Sequence, residues 1–358
     1  MTGARPNFPK AAPVMKALAD RGVSQKLVHT GQHYDDAMST AFFRDLNLPR
    51  PDVNLNVGSG SQAQQTARIM MAFEEALLDI DPKLVVVYGD VNSTIAAALV
   101  AAKLGYPIAH VEAGLRSFDM SMPEEINRIL TDQLSTLLFI TSPEAEENLW
   151  REGVDPDRVH FVGNPMIDTL FESLPLTEKR PEFQGILLPP QYAVLTLHRP
   201  SNVDSSRELD LLVHALHQCA SRIPMVAPIH PRSLSALQSR GFHDHPNVIL
   251  LPPIGYMHFI ALMRHSTLVI TDSGGVQEET TMLGVPCLTV RPNTERPITV
   301  TSGTNQLVSA GALCEAVEEV FRKHSSQLGQ SASCPPLWDG AAGKRIADIL
   351  CSNKSVLP

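Results

Sequence analysis

The chain has 358 residues, a formal net charge of −9 and 43% hydrophobic residues. That length makes two domains with two cores the expectation, and the acidic balance speaks against nucleic acid, which wants a basic face, without forbidding a local basic pocket for a diphosphate. Cys219, Cys287, Cys314, Cys334 and Cys351 are scattered with no CxxC pair, and no apolar run is long enough to span a bilayer; reduced thiols, no zinc site, no membrane and a cytoplasmic location are expected.

In chain order, Gly3-Ala-Arg-Pro-Asn-Phe-Pro-Lys10 reads as the turn after a first strand, yet no strand stands before it. A doubly wound domain begins with a buried central strand, so a truncated chain start is the expectation. Next, Gly58-Ser-Gly-Ser-Gln-Ala63 fits the GxGxxA form of a dinucleotide fingerprint. The strand before it, Asn54-Leu-Asn-Val, is short and polar, and Asp79 precedes the next strand instead of ending it, the wrong place to hold a ribose. The segment is read as a loop capping a helix, and no NAD or other cofactor is expected. Apolar strand-like runs follow at 84–88, 107–111, 138–141 and 159–162, with helical patterns at 62–78, 93–104, 124–136 and 144–152. After a Pro-rich stretch at 174–190, the alternation resumes with strands at 192–197, 225–229, 248–251, 268–271 and 286–290. Helices at 205–222, 233–240, 256–264 and 275–283 separate them, and 341–350 reads as a terminal helix. Strands alternating with helices imply parallel sheets covered on both faces. The fold class is therefore α/β, two doubly wound Rossmann-like domains with a cleft between them. Residues 1–170, joined by the C-terminal helix at 341–358, form one domain and 171–340 the other, and ligands of such folds bind at strand C-termini.

The most informative segment is Thr267-Leu-Val-Ile-Thr-Asp-Ser-Gly-Gly-Val-Gln-Glu-Glu279. An apolar strand turns through Asp272, Ser273, Gly274 and Gly275 into a helix. Paired glycines let a phosphate approach the backbone, and free N–H groups at the helix start favour an anion. An ordinary strand–turn–helix corner with a serine cap would look the same. Other strand ends are polar too: Arg5 and Lys10; Gly89-Asp90; His110-Val-Glu112; His198-Arg199; His230; Thr294-Glu-Arg296. Glu124 and Arg128, four apart on one helical face, suggest an ion pair. His110 reads as a hydrogen-bonded core residue, Asp272 as a turn residue, and Asp90 either as a helix cap or as a catalytic group. Carboxylates ending three consecutive units are harder to dismiss as surface charge.

These motifs resemble the non-hydrolysing UDP-N-acetylglucosamine 2-epimerase family, whose two-domain fold is GT-B-like. Gly3-Ala-Arg-Pro, Gly31-Gln-His-Tyr, Tyr88-Gly-Asp, His110-Val-Glu-Ala-Gly-Leu-Arg, Pro123-Glu-Glu-Ile-Asn-Arg, Thr271-Asp-Ser-Gly-Gly and Thr294-Glu-Arg-Pro stand in the family's order. Ser201 stands where many members carry Glu. The resemblance implies cofactor-free inversion at C2 of UDP-N-acetylglucosamine: UDP leaves C1 as the C2 proton is removed, and re-adds to the glycal. It implies Asp90, Glu112 and Glu124 as acid/base groups and His198 near the diphosphate. Arg5, Lys10, Arg199, His230, Ser273, Gly274, Gly275, Glu279 and Arg296 would hold the substrate, with Arg128 orienting Glu124. A regulatory site at Gln32, His33 and Arg68 and a homodimer are further implications. A 2-epimerase of a UDP-diacetamido-uronic acid, or a GT-B glycosyltransferase, are the alternatives.

Overall fold

The computed structural model describes residues 1–3, 5–31, 43–183, 185–199, 202, 206–229, 231–326 and 334–353. The chain divides into two compact units, Met1–Glu172 with Pro336–Pro358, and Ser173–Pro335. Both are parallel α/β sheets of Rossmann type.

In the first unit the strands are β1 (Val28–His29), β2 (Val53–Asn54), β3 (Val85–Tyr88), β4 (Ile108–Ala113), β5 (Leu137–Ile140) and β6 (Val159–Phe161). Its helices are α1 (Phe8–Ala19), α2 (Gln62–Ile80), α3 (Asn92–Lys103), α4 (Pro123–Leu134), α5 (Pro143–Arg151) and α6 (Pro165–Ser173). β3 to β6 pair in sequence order, and β1 pairs with β2. Residues 1–3 run between the two groups: Thr2 N–H donates to Val28 O (2.9 Å), Thr30 N–H to Thr2 O (3.1 Å), and the Met1 ammonium to Val86 O (2.9 Å). This short extended segment takes the central position that the sequence left open. A cavity of about 860 Å3 lined by Leu27, Val28, Phe73, Leu77, Val85 and Val86 lies beside it.

Helix α1 was not legible, because Pro9 and Pro13 fall within it. Pro9 sits in the first turn, where a missing N–H costs nothing. Pro13 leaves the Pro9 carbonyl without its helical donor, and the Thr169 hydroxyl supplies one at 2.6 Å. The apolar face of α1 (Ala11, Val14, Leu18) shares a core with Ile346, Ala347 and Leu350 of the last helix, Ala342–Ser352. Gly343 lets the two helices approach: a Cβ there would lie 2.7 Å from the Pro13 backbone.

The second unit holds β7 (Ala193–Thr196), β8 (Met225–Pro228), β9 (Val248–Leu251), β10 (Leu268–Thr271), β11 (Cys287–Val290) and β12 (Asn305–Val308). Its helices are α7 (Ser206–Ala220), α8 (Pro231–Gln238), α9 (Tyr256–Arg264), α10 (Gly274–Leu283), α11 (Ile298–Thr301) and α12 (Leu313–Ser326); the last helix above becomes α13. The strand order is β12-β11-β10-β7-β8-β9, all pairs parallel. Strand order reverses between β7 and β10, the place where such sheets bind ligands beyond their strand ends. No described helix is long and apolar enough to cross a membrane.

Candidate active site

In the first unit, the chain leaves β3 through Gly89, at φ +64°. A Cβ there would lie 3.1 Å from Lys10 Nζ, 3.5 Å from Asn7 Nδ2 and 3.9 Å from Glu112 Oε2, so the bare glycine leaves room for three polar groups that converge above it. Glu112 reaches this point because β4 is irregular. The register against β5 shifts between Val111 and Ala113, and Glu112 takes φ +74°. A bulge re-aims a side chain, and a non-glycine residue in the left-handed region costs roughly 1–3 kcal/mol. That cost is met by surroundings that hold Glu112 buried in an ion pair with Lys10.

Asp90 does not cap the next helix, whose N-cap is Val91. Its carboxylate instead receives Arg128 Nε at 3.0 Å and Nη2 at 2.8 Å. Its carbonyl accepts from Asn127 Nδ2 at 2.8 Å. The same Arg128 pairs with Glu125, which also accepts from Ser117 N–H (3.0 Å) and Phe118 N–H (2.7 Å). The expected Glu124–Arg128 pair is therefore absent. Glu125 and Arg128 point inward from α4, and Glu124 is half-buried with no partner among the described residues. Helix α4 carries a buried polar stripe, Glu125, Arg128 and Asp132, and exposes Ile126 and Leu130. The sequence signal for Glu125 was its i,i+3 spacing to Arg128, which competed with the i,i+4 spacing of Glu124.

His110 is fully buried, as expected of a core histidine. Nδ1 lies 2.6 Å from Asp132 Oδ1 and Nε2 2.8 Å from the Gly89 carbonyl. Asp132 also pairs with Arg116 at 2.7 Å, and Arg116 with Glu152 at 2.6 Å. Burial pushes the Asp132 carboxyl up, but His110 and Arg116 outweigh it and hold the group below the usual carboxylate range. This relay fixes the backbone on which Asp90 stands.

In the second unit, Ser273 precedes α10 and makes no capping bond with its hydroxyl. Gly274 and Gly275 open the helix, leaving first-turn N–H groups for an anion. A Cβ on Gly274 would lie 2.4 Å from Arg296 Nη1 and 2.6 Å from Glu295 Oε1; glycine there admits the arginine loop. Arg296 pairs with Glu278 (2.8 Å) and with Glu295, and Arg291 with Glu295 (2.7 Å). Gln277, fully buried, donates to Ser273 O at 3.2 Å and accepts from Thr294 Oγ1 at 2.7 Å and Asn305 Nδ2 at 2.9 Å. It thus links the glycine turn to the Thr294–Arg296 loop. Glu279 is buried, and burial, with the charge of Glu278, raises its carboxyl to about 8 against the pull of the Tyr256 hydroxyl.

Asp272 is more than the turn residue expected. Its buried carboxylate accepts from the backbone N–H of His198 (3.1 Å) and Arg199 (3.0 Å) and from Asn202 Nδ2 (3.1 Å). Arg199 Nε in turn donates to Asp272 O at 3.0 Å. Sequence reasoning missed this role, along with Glu125, Asn127, Asp132 and Gln277. All but Asp132 stood inside segments already singled out, but the partners of Asp272, Asn127 and Asp132 lie far along the chain, and those of Gln277 lie partly in another loop.

Gln32, His33 and His230 lie outside the described residues, and Arg5 is placed only by its backbone, in a short 3-10 turn at Arg5–Asn7. Arg68 is exposed on α2, donating to Ser59 O (3.0 Å) and Gln64 O (3.2 Å). That bond braces the glycine loop, whose Ser61 hydroxyl caps α2. No group of three or more His, Cys, Asp or Glu that could hold a metal ion occurs among the described residues.

The family model described as UDP-N-acetylglucosamine 2-epimerase matches residues 16–351. A UDP-N-acetylglucosamine 2-epimerase from Methanocaldococcus jannaschii is 40% identical over 98% of both chains. A UDP-2,3-diacetamido-2,3-dideoxy-D-glucuronate 2-epimerase from Pseudomonas aeruginosa is 41% identical over 97% of both. The crystal structure of the M. jannaschii UDP-GlcNAc 2-epimerase in complex with UDP-GlcNAc and UDP superposes with a TM-score of 0.90 over 98% of each chain. With its two parallel Rossmann-type units and its match along nearly the whole length, this chain belongs to the UDP-N-acetylglucosamine 2-epimerase family.

Proposed function

We propose that this chain interconverts UDP-N-acetylglucosamine and UDP-N-acetylmannosamine without a cofactor. A carboxylate removes the C2 proton while the C1–O bond breaks and UDP departs with the bonding electrons, leaving a 2-acetamidoglycal. A second carboxylic acid then protonates C2 on the opposite face as UDP re-adds to C1. The observation that carries this reading is the pair of carboxylates flanking Gly89, Asp90 on Arg128 and Glu112 on Lys10. Two acid/base groups held by separate cations suit a proton taken from one face and returned to the other. Glu124, half-buried at the start of α4, is the third candidate.

His198, Arg199, Arg296 and the Ser273–Gly275 turn are assigned to the diphosphate, whose departing charge needs oriented donors. Glu279 is assigned to the ribose. The glycal must be kept from water until UDP returns. A homodimer is the assembly proposed; exposed Ile126 and Leu130 on α4 support it, and light scattering of an I126E/L130E variant checks it.

The P. aeruginosa relative favours a second reading, a diacetamido-uronate UDP-sugar as substrate. Proton NMR in deuterium oxide separates the two. UDP-N-acetylmannosamine forming with deuterium at C2 supports the first. Turnover of the diacetamido-uronate substrate alone supports the second. Free N-acetylmannosamine with stoichiometric UDP would replace both with hydrolysis.

A further inference from the structure

β7 and β10 are adjacent and parallel, with Thr196 opposite Thr271. The loop after β7 and the turn after β10 therefore leave the sheet side by side, and the Asp272 carboxylate joins them. Besides its three N–H donors, it lies 2.9 Å from His198 Nδ1. Asp272 is fully buried, whereas 55% of the His198 side chain is exposed. Burial pushes the Asp272 carboxyl up, but the His198 contact, the Arg199 N–H and the Asn202 amide outweigh it and keep the group below the usual carboxylate range. At neutral pH it is an anion that can only accept. The nitrogen facing it must then carry a proton, and which nitrogen of an imidazole is protonated is set by the bond the other makes.

We propose that Asp272 is a positioning residue for His198: it holds the imidazole by Nδ1–H, so that Nε2 is the nitrogen that takes up the second proton and, as Nε2–H of the imidazolium, donates to the departing diphosphate. The inference rests on the diphosphate role given to His198 above. It assigns to a carboxylate that touches no substrate the choice of tautomer, ring orientation and backbone path of a group that does. Partners of this kind commonly change activity 10–100-fold when removed.

The test is nitrogen-15 NMR of histidine-labelled protein without substrate, His198 being assigned by the loss of its signals in H198Q. The neutral ring is expected to carry its proton on Nδ1. In D272N the new amide can donate to Nδ1, and the proton should move to Nε2. Turnover of D272N should fall about 10–100-fold with KM changed far less, and D272N/H198Q should be no slower than H198Q alone. A wild-type ring protonated on Nε2, or losses that multiply in the double variant, would overturn the proposal. Should D272N fail to fold, the wild-type tautomer decides alone. Because that signal is read without substrate, a failure of the epimerase reading shows separately, as a wild-type protein that leaves UDP-N-acetylglucosamine unchanged.

Discussion

The two units use charged residues in opposite ways. In the first, the carboxylates around Gly89 are the candidate chemistry, and cations hold them: Lys10 on Glu112, Arg128 on Asp90 and Glu125. In the second, three carboxylates other than Glu279 are scaffold. Asp272 gathers the β7 loop, Glu278 and Glu295 hold Arg296, and the groups proposed for the diphosphate are backbone N–H, histidine and arginine. The difference follows from the charges each must handle. A proton leaving carbon needs a base with a fixed position, whereas a diphosphate needs donors that stay positive when it departs.

The largest test of this contrast is on activity. D90N and E112Q should each lower turnover roughly 10²–10⁴-fold, followed by deuterium entry at C2, while UDP affinity by calorimetry stays within a few-fold. A parallel loss of UDP affinity would place these residues in the nucleotide scaffold and break the comparison.

Next is R128M. Removing the cation takes the guanidinium away from Asp90 and from fully buried Glu125, and breaking a buried pair from one side costs about 3–5 kcal/mol. Denaturant unfolding should report this; a change below about 1 kcal/mol would mean that the Ser117 and Phe118 N–H groups suffice for Glu125.

pH sharpens the comparison in the second unit. Glu279 is raised from the ordinary 4.5 to about 8. The folded state thus binds this proton more tightly than the unfolded state, and stability falls as pH rises from 4.5 to 8. The full effect is on the order of 5 kcal/mol. E279Q should flatten that window, measured as melting temperature against pH; an unchanged slope would show that Glu279 is ionised in the fold.

The smallest effect is expected at Asp168, which accepts from Ala342 N–H (3.1 Å) and Gly343 N–H (2.7 Å) and so seats α13. Burial, only partly offset by those bonds, raises its carboxyl from 3.8 to about 6. Stability should decline by about 2–3 kcal/mol across that window as pH rises. D168N should remove the decline, and its persistence would assign it elsewhere.

Much of this protein could be read along one dimension. Strands 84–88, 225–229 and 268–271 announce themselves because a strand buried on both faces must be a short continuous apolar run. The glycine turn after β10 was legible because a close backbone approach and a helix start require particular residues at adjacent positions. β1, with two residues, and β12, whose first two residues are polar, carried too little pattern. Helix α1 was hidden by prolines whose missing bond is supplied by Thr169, more than 150 residues away. What tertiary structure decided is partnership. Glu124 and Glu125 are indistinguishable in sequence, and only the packing of α4 sends Glu125 inward to Arg128 while leaving Glu124 half-exposed. The same holds for Asp272: a turn residue by its neighbours, it became the anchor of His198 because parallel pairing set β7 beside β10. Local conformation follows from local residue chemistry; which charge meets which follows from the sheet, and a sheet is assembled from distant segments.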